Sequence, residues 1–147
     1  MRVDCLIDTN VLVYAAVSDP SEADKRAAAI GIIQREDFAL SAQVLQEFYV
    51  TVTRKLERPM SPLQAMEWIE QFDAFPCMAI DAAMVKIAIE ISQRYIISYW
   101  DGAIIAAALR AGAPIVYSED LNDGQDYDGV RVINPFIESA HRVQGSG

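Results

Sequence analysis

Histidine is nearly absent from the sequence: of 147 residues only His141, near the C-terminus, is one. A metal site built on histidines or a Ser–His–Asp triad is therefore not expected. Cysteine is as scarce. Cys5 and Cys77 both lie among apolar residues and read as buried free thiols rather than a disulfide. No apolar run reaches membrane-spanning length. The opening Met1-Arg2-Val3-Asp4 leads into a short apolar run broken by Asp8 and Asn10, which is not a signal peptide. The chain is read as cytoplasmic, with no membrane attachment. Bases are scarce too: 12 Lys and Arg against 21 Asp and Glu leave a net charge of −9. A protein that grips nucleic acid by bulk electrostatics should be basic. Either nucleic acid is not the partner, or the acids serve a local purpose and the bases are clustered. Arg54, Lys55 and Arg58 do cluster, at the end of an expected helix, where they would complement the helix dipole or touch RNA.

What the chain has in quantity is apolar residues, 52% of it, enough for a sizeable core. Its length suggests one domain, taken as residues 1–141, with 142–147 a flexible tail whose Gly145-Ser146-Gly147 end reads as an addition to the domain. Val3 to Ile7 is short, β-branched and bounded, as a buried strand is. A short helix or turn is expected over Val11–Val17, and a helix from Ser21 to about Arg35. A strand follows at Phe38-Ala39-Leu40, then a helix from Ala42 to about Leu56 with Leu45, Phe48, Tyr49, Val52 and Leu56 on one stripe. Ser61-Pro62-Leu63-Gln64 combines an N-cap, a proline at the first position and a capping-box glutamine, so a helix should run to about Phe72. Met78-Ala79-Ile80 reads as a third strand. Asp81 should cap a helix through Tyr95, and Ser98 another from Tyr99 to Ala111, closed by Gly112. Strands are expected at Ile115–Tyr117 and Val130–Ile133, joined by a polar loop over 118–129. Strands alternating with helices imply an α/β fold with a parallel sheet covered on both faces.

Four acids stand out. Asp8 follows the first strand and Asp120 the fourth, and parallel strands bring their carboxyl ends to one edge. Taken alone, Asp8 or Asn10 would more often be a helix cap, and Asp120 an ordinary residue of an acidic loop beside Glu119 and Asp123. Asp101 shares a helical face with Ile104, Ile105 and Ala108, where a charge needs a reason. Completing a capping box with Ser98 is one, and a metal or catalytic role is another. Glu47 reads by itself as the solvated edge of an amphipathic helix, and Tyr99 and Trp100 as packing rather than base-stacking residues. Together, however, Asp8, Glu47, Asp101 and Asp120 have a chemical logic. Hard cations such as Mg²⁺ take oxygen ligands, and several carboxylates around one cavity repel each other without one. Such a cation activates water and stabilises charge on a phosphate.

Ile7-Asp8-Thr9-Asn10-Val11-Leu12, Glu47, the run from Tyr99-Trp100-Asp101-Gly102 to Ala108, Val116-Tyr117-Ser118-Glu119-Asp120-Leu121 and Asn134-Pro135-Phe136 occur in this order along nearly the whole chain. In these pieces the sequence resembles PIN-domain ribonucleases, in particular VapC-type toxins of toxin–antitoxin pairs. The resemblance implies a PIN-like, Rossmann-like three-layer fold, its short central parallel sheet flanked by helices. It implies endoribonuclease activity dependent on Mg²⁺, or Mn²⁺, on an RNA substrate. Asp8, Glu47, Asp101 and Asp120 would be the acidic quartet, Asp8, Asp101 and Asp120 the metal ligands, and Asn10 and Ser118 their hydrogen-bonding supports. Glu119 or Asp123 could share the role of Asp120. The implied partners are a small antitoxin protein and a second copy in a homodimer. An aspartyl phosphatase is a competing reading of Asp8, but Asn10 stands where its second acid belongs. A receiver-like module would need a lysine after the strand Ile115–Tyr117, where Ser118-Glu119-Asp120 follows instead. A PIN domain that binds RNA or protein without catalysis is a third alternative, against which the intact quartet argues.

Overall fold

The computed structural model describes residues 3–137, so His141 and the expected tail lie outside the described residues. The elements in order are β1 (Cys5–Ile7), α1 (Thr9–Ala16), a 3₁₀ turn (Pro20–Glu22), α2 (Ala23–Gln34), β2 (Phe38–Ser41) and α3 (Ala42–Val50). A π-helical turn (Thr51–Lys55), α4 (Pro62–Phe72), β3 (Cys77–Met78), α5 (Ala82–Tyr95) and α6 (Tyr99–Ala111) follow, then β4 (Ile115–Tyr117), β5 (Asp126–Tyr127) and β6 (Val130–Ile133).

The strands form one sheet in the order β3-β2-β1-β4-β6-β5. Every pairing is parallel except β5 with β6. β1 is fully buried, as expected of a short apolar strand with neighbours on both sides. From β1 the chain builds outward through β2 and β3, then returns to place β4 on its other flank. The strand order therefore reverses between β1 and β4, and a crevice opens at their carboxyl ends. α6 touches β1, β2, β3, β4 and β6 and so lies across the sheet, with α5 packed on it. α1 packs on α2 and α3, and α3 on α4. Among the described residues no helix is long and apolar enough to cross a membrane.

Several expectations are corrected in detail. The helix expected to reach Leu56 is α-helical only to Val50 and then widens into the π turn. There the Thr53 hydroxyl donates to the Tyr49 carbonyl at 2.6 Å, a side-chain bond that competes with the regular ladder. The third strand is Cys77–Met78 rather than Met78–Ile80. The Leu40 N–H is taken by the Pro76 carbonyl at 2.8 Å, which fixes the register early, and Ile80 is exposed. Cys77 is half-buried, whereas Cys5 is buried as expected. The sheet is not purely parallel. Asp128 and Gly129 both have positive φ, 54° and 95°, and turn β5 back onto β6. Asp-Gly between two short strands is a strong hairpin signal, here hidden in an acidic stretch that reads as loop. Arg94 and Tyr95 of α5 grip the Asp128 carboxylate and brace this hairpin.

α6 is buried without a break from Gly102 to Ala108, and its residues there are mostly small, which lets α5 approach closely. A Cβ added at Gly102 would lie 2.6 Å from the Ala88 carbonyl oxygen and 3.1 Å from the Ser92 Cβ. Gly31, in the middle of α2, has nothing within 4 Å of an added Cβ and is exposed. The two glycines should respond oppositely to alanine. Gly31→Ala is expected to raise stability by up to about 1 kcal/mol through helix propensity. Gly102→Ala should lower it by about 1–3 kcal/mol, because overpacking against backbone outweighs the same gain. Urea unfolding of both variants checks this; equal stabilisation by both would contradict the tight α5–α6 contact.

Candidate active site

β1 ends at Ile7, and Asp8 stands at the entry to α1 with extended backbone, as its N-cap. Asp8 is only 6% exposed and Ser118, at the end of β4, is fully buried. The Asp8 carboxylate accepts the Thr9 N–H at 2.7 Å on one oxygen and the Ser118 hydroxyl at 2.7 Å on the other. The Ser118 oxygen in turn accepts the Asp120 N–H at 3.1 Å. The Asn10 amide nitrogen donates to the Asp120 carboxylate at 3.2 Å, and its amide oxygen accepts the Glu119 N–H at 3.4 Å. The expected cap and the expected site thus coincide. The first turn of α1 and the loop after β4 are stitched together by side chains from both.

Glu47 reaches this crevice from α3. An open cleft of about 300 Å³ is lined by Thr9, Asn10, Glu47, Glu119 and Asp120 among others. The Glu47 carboxylate accepts the Gln43 amide N–H at 2.7 Å, one helical turn earlier. The same Gln43 nitrogen lies 3.4 Å from the Trp100 carbonyl, so α3 and the start of α6 are held together beside Glu47. Asp101 lies in the first turn of α6, half-buried, at the end of the buried stripe of Ile104, Ile105 and Ala108. Its N–H is capped by the Ser98 hydroxyl at 3.0 Å.

Burial pushes the Asp8 carboxyl up from the ordinary 3.8 to about 6, against the pull of the Ser118 and Thr9 hydrogen bonds, and the charges of Asp120 and Glu47 push the same way. Asp101 is also raised, first by burial and then by Asp120, with Ser98 opposing. The four acids therefore share one electrostatic neighbourhood: Asp8 feels Asp120 and Glu47, and Asp101 feels Asp120. However, no three acidic, histidine or cysteine side chains among the described residues are close enough to form a ready-made metal cage. The donor set is nonetheless all carboxylate, as a hard cation prefers. The hydroxyl oxygen of Thr9, next to Asp8 and lining the cleft, is buried with no hydrogen-bond partner. A polar cleft that leaves such an oxygen unsatisfied is suited to water or a hydrated cation.

The two other acids of the loop are occupied. Glu119 accepts the Tyr14 hydroxyl at 2.7 Å and the Lys25 ammonium at 3.1 Å. Lys25 also lies over the Tyr14 and Phe136 rings. Asp123 accepts the Asn134 N–H at 2.8 Å and so closes the loop onto the segment after β6.

The family model of the PIN domain matches residues 5–124, which include all four acids. The chain belongs to the PIN domain family. Among solved structures, a toxin–antitoxin complex from Klebsiella pneumoniae superposes on this PIN domain with a TM-score of 0.68 at 17% identity, covering 90% of this chain and 98% of that one. The Mycobacterium tuberculosis toxin VapC20, described as cleaving the sarcin–ricin loop, gives 0.63 at 15% identity, covering 80% and 90%. DNA-bound VapBC from Salmonella typhimurium gives 0.62 at 16%, covering 90% and 98%. At these identities the likeness is one of fold. No curated protein matches the sequence.

Three features of the crevice escaped the sequence reading. Glu119 is bound by Tyr14 and Lys25, distant in sequence and on different helices. Gln43 buttresses Glu47; its i, i+4 spacing was the available signal. Trp100, expected to pack, is 65% exposed.

The raised carboxyl of Asp8 has a definite consequence for stability. The unfolded chain loses this proton near 3.8 and the folded one near 6, so between these values the native state binds more protons and stability falls as pH rises. The penalty is absent below the lower value and complete above the upper one, where it is on the order of 3 kcal/mol. In the presence of chelator, Asp8→Asn should therefore gain on wild type by roughly that amount between about pH 4 and about pH 7. Urea unfolding across this range measures it, and a difference independent of pH would contradict the burial of a titrating Asp8.

Proposed function

We propose that this PIN domain is a divalent-metal-dependent endoribonuclease and the toxin of a toxin–antitoxin pair. The observation that carries the reading is the buried Asp8 carboxylate, tied to Ser118 at the switch point of the sheet and pushed upward first by burial and then by the charges of Asp120 and Glu47. A protein that only binds has no evident reason to retain such repulsion, whereas a Mg²⁺ or Mn²⁺ ion held by Asp8, Asp101 and Asp120 would relieve it. When bound, such an ion supplies charge stabilisation for a phosphodiester under attack and a more acidic water. The chain's own residues do the rest. Ser118 orients Asp8 and, through its oxygen, the backbone of Asp120. Asn10 fixes the Asp120 carboxylate. Glu47, held by Gln43 at the cleft wall, would take a proton from the attacking water. Glu119 is bound by Lys25 and Tyr14 and braces the loop.

RNA as substrate and an antitoxin as partner are supported by the fold shared with VapC20 and with toxin–antitoxin complexes. On this reading the protein acts in the cytoplasm. A homodimer is supported by exposed Leu63 and Met66 on α4 and Val50 on α3.

Purified protein should cleave RNA with Mg²⁺ or Mn²⁺ and not with chelator. Asp8→Asn, Asp101→Asn and Asp120→Asn should each lose about 100-fold or more, the scale for removing one preorganised charge-stabilising group. Ser118→Ala should lose about 10–100-fold, as loss of an orienting partner does. Glu119→Gln should stay near wild type. Gel assays on total RNA read all five. Equal cleavage with and without chelator would overturn the metal-dependent reading, and a dead Glu119→Gln beside an active Asp120→Asn would transfer the role to Glu119.

A further inference from the structure

We infer that the cleft between α3 and the start of α6 is a nucleobase subsite, in which Trp100 is the stacking platform for an unpaired base beside the scissile phosphate. This rests on the RNA-cleaving reading of the acidic crevice.

Trp100 is 65% exposed, although the next residues along α6, from Gly102, are buried. Its indole is propped by the Tyr99 ring at 5.0 Å in an edge-on arrangement, and its carbonyl lies 3.4 Å from the Gln43 amide nitrogen. The indole thus has one ring beside it and most of its surface open. It opens onto a cleft of about 450 Å³ also lined by Gln43, Gln46, Glu47, Thr51 and Lys55. That volume suits one nucleotide-sized group, and the glutamine amides offer donors and acceptors to a base edge.

Position adds to shape. Glu47 and Thr51 line both this cleft and the acidic one, so the two adjoin at these side chains. Trp100 immediately precedes Asp101. A strand of RNA with one phosphate at the acids would reach this cleft with a neighbouring base. Lys55, a compact cation on the cleft wall, can meet the next phosphate.

Charge points the same way. With a net charge of −9 the protein gains little from general attraction to RNA. Affinity must come from contacts that do not depend on net charge, and base–aromatic stacking is one. Stacking needs an unpaired base, which makes single-stranded or looped RNA the preferred form.

The test uses the full chain carrying Asp8→Asn, so that RNA is bound without being cut, and Trp68→Phe, which leaves Trp100 as the only tryptophan of the two. A mixed-sequence single-stranded RNA oligonucleotide should quench Trp100 fluorescence, and a blunt duplex of the same sequence should not. Trp100→Ala should weaken single-strand binding by about 5- to 150-fold, with Trp100→Phe restoring most of it. In the otherwise wild-type enzyme Trp100→Ala should raise KM with little change in kcat, the mark of binding lost equally from ground and transition states. Unchanged fluorescence, together with Trp100→Ala affinity within about 2-fold of its parent, would overturn the subsite. So would emission that shifts with protein concentration alone while Trp100→Ala turns a dimer into monomer, since the indole would then belong to a protein interface. The two readings fail separately. If the wild-type protein cuts no RNA yet single strands quench Trp100, the nuclease reading falls and with it the scissile phosphate, and Trp100 is left as a base-stacking site of an RNA-binding protein. If it cuts RNA and Trp100→Ala is silent, only the subsite falls.

Discussion

Asp8 is a carboxylate buried at the end of a central strand, and the rest of the site is arranged around the cost of keeping it there. An ionised group away from water is unfavourable unless its oxygens find donors. Two are supplied, by Thr9 and Ser118, one from each side of the crevice between β1 and β4. They offset burial only in part, since the carboxyl still sits well above its ordinary range. The acids that add to this, Asp120 and Glu47, line the cleft together with Glu119. Stability is given up at the place where an external positive charge would return it, a pattern expected of a functional site rather than of a core.

The fold makes that placement possible through its strand order. Because β4 is laid beside β1 after the chain has built β2 and β3 on the other flank, two loops distant in sequence meet at one edge. Asp8 and Asn10 come from the first, Ser118 and Asp120 from the second. α6 then lies across the sheet, and its run of small buried residues lets α5 cover it closely, as the tight fit at Gly102 shows. The N-terminal end of α6 carries Trp100 to the cleft that Glu47 also lines, and Asp101 into the field of Asp120. Burial and polarity are thus divided along one helix: small apolar residues in its body, polar and exposed aromatic ones in its first turn.

Much of this was legible in the sequence, for physical reasons that can be named. β1 and β4 are short apolar runs between polar breaks, β6 alternates buried valines with the exposed Arg131, and α4 announces itself through the complete capping box of Ser61 and Gln64. The acids at strand ends were legible because parallel strands share a carboxyl edge. Less legible were features set by interactions across the sequence. The π turn depends on a threonine hydroxyl bonding a carbonyl, which periodicity does not register. β5 is two residues long and is defined by its partner strand and its Asp128-Gly129 turn. Glu119 and Asp120 are adjacent acids that only the fold tells apart, because Lys25 and Tyr14 reach one of them. Exposure of Trp100 was hidden because the residues after it form an apolar run, and a helix's first turn can leave the surface its body covers.

The central claim, that Asp8 is held at a raised proton affinity until a cation takes the proton's place, can be read at the atom itself. Carboxyl-carbon NMR of Asp8, titrated in chelator and again with saturating Mg²⁺, gives its proton affinity in each state. The account predicts a midpoint near 6 in chelator and a fall to below about 4, its ordinary range, with the cation bound. A midpoint near the ordinary value in both titrations, unmoved by Mg²⁺, would contradict it.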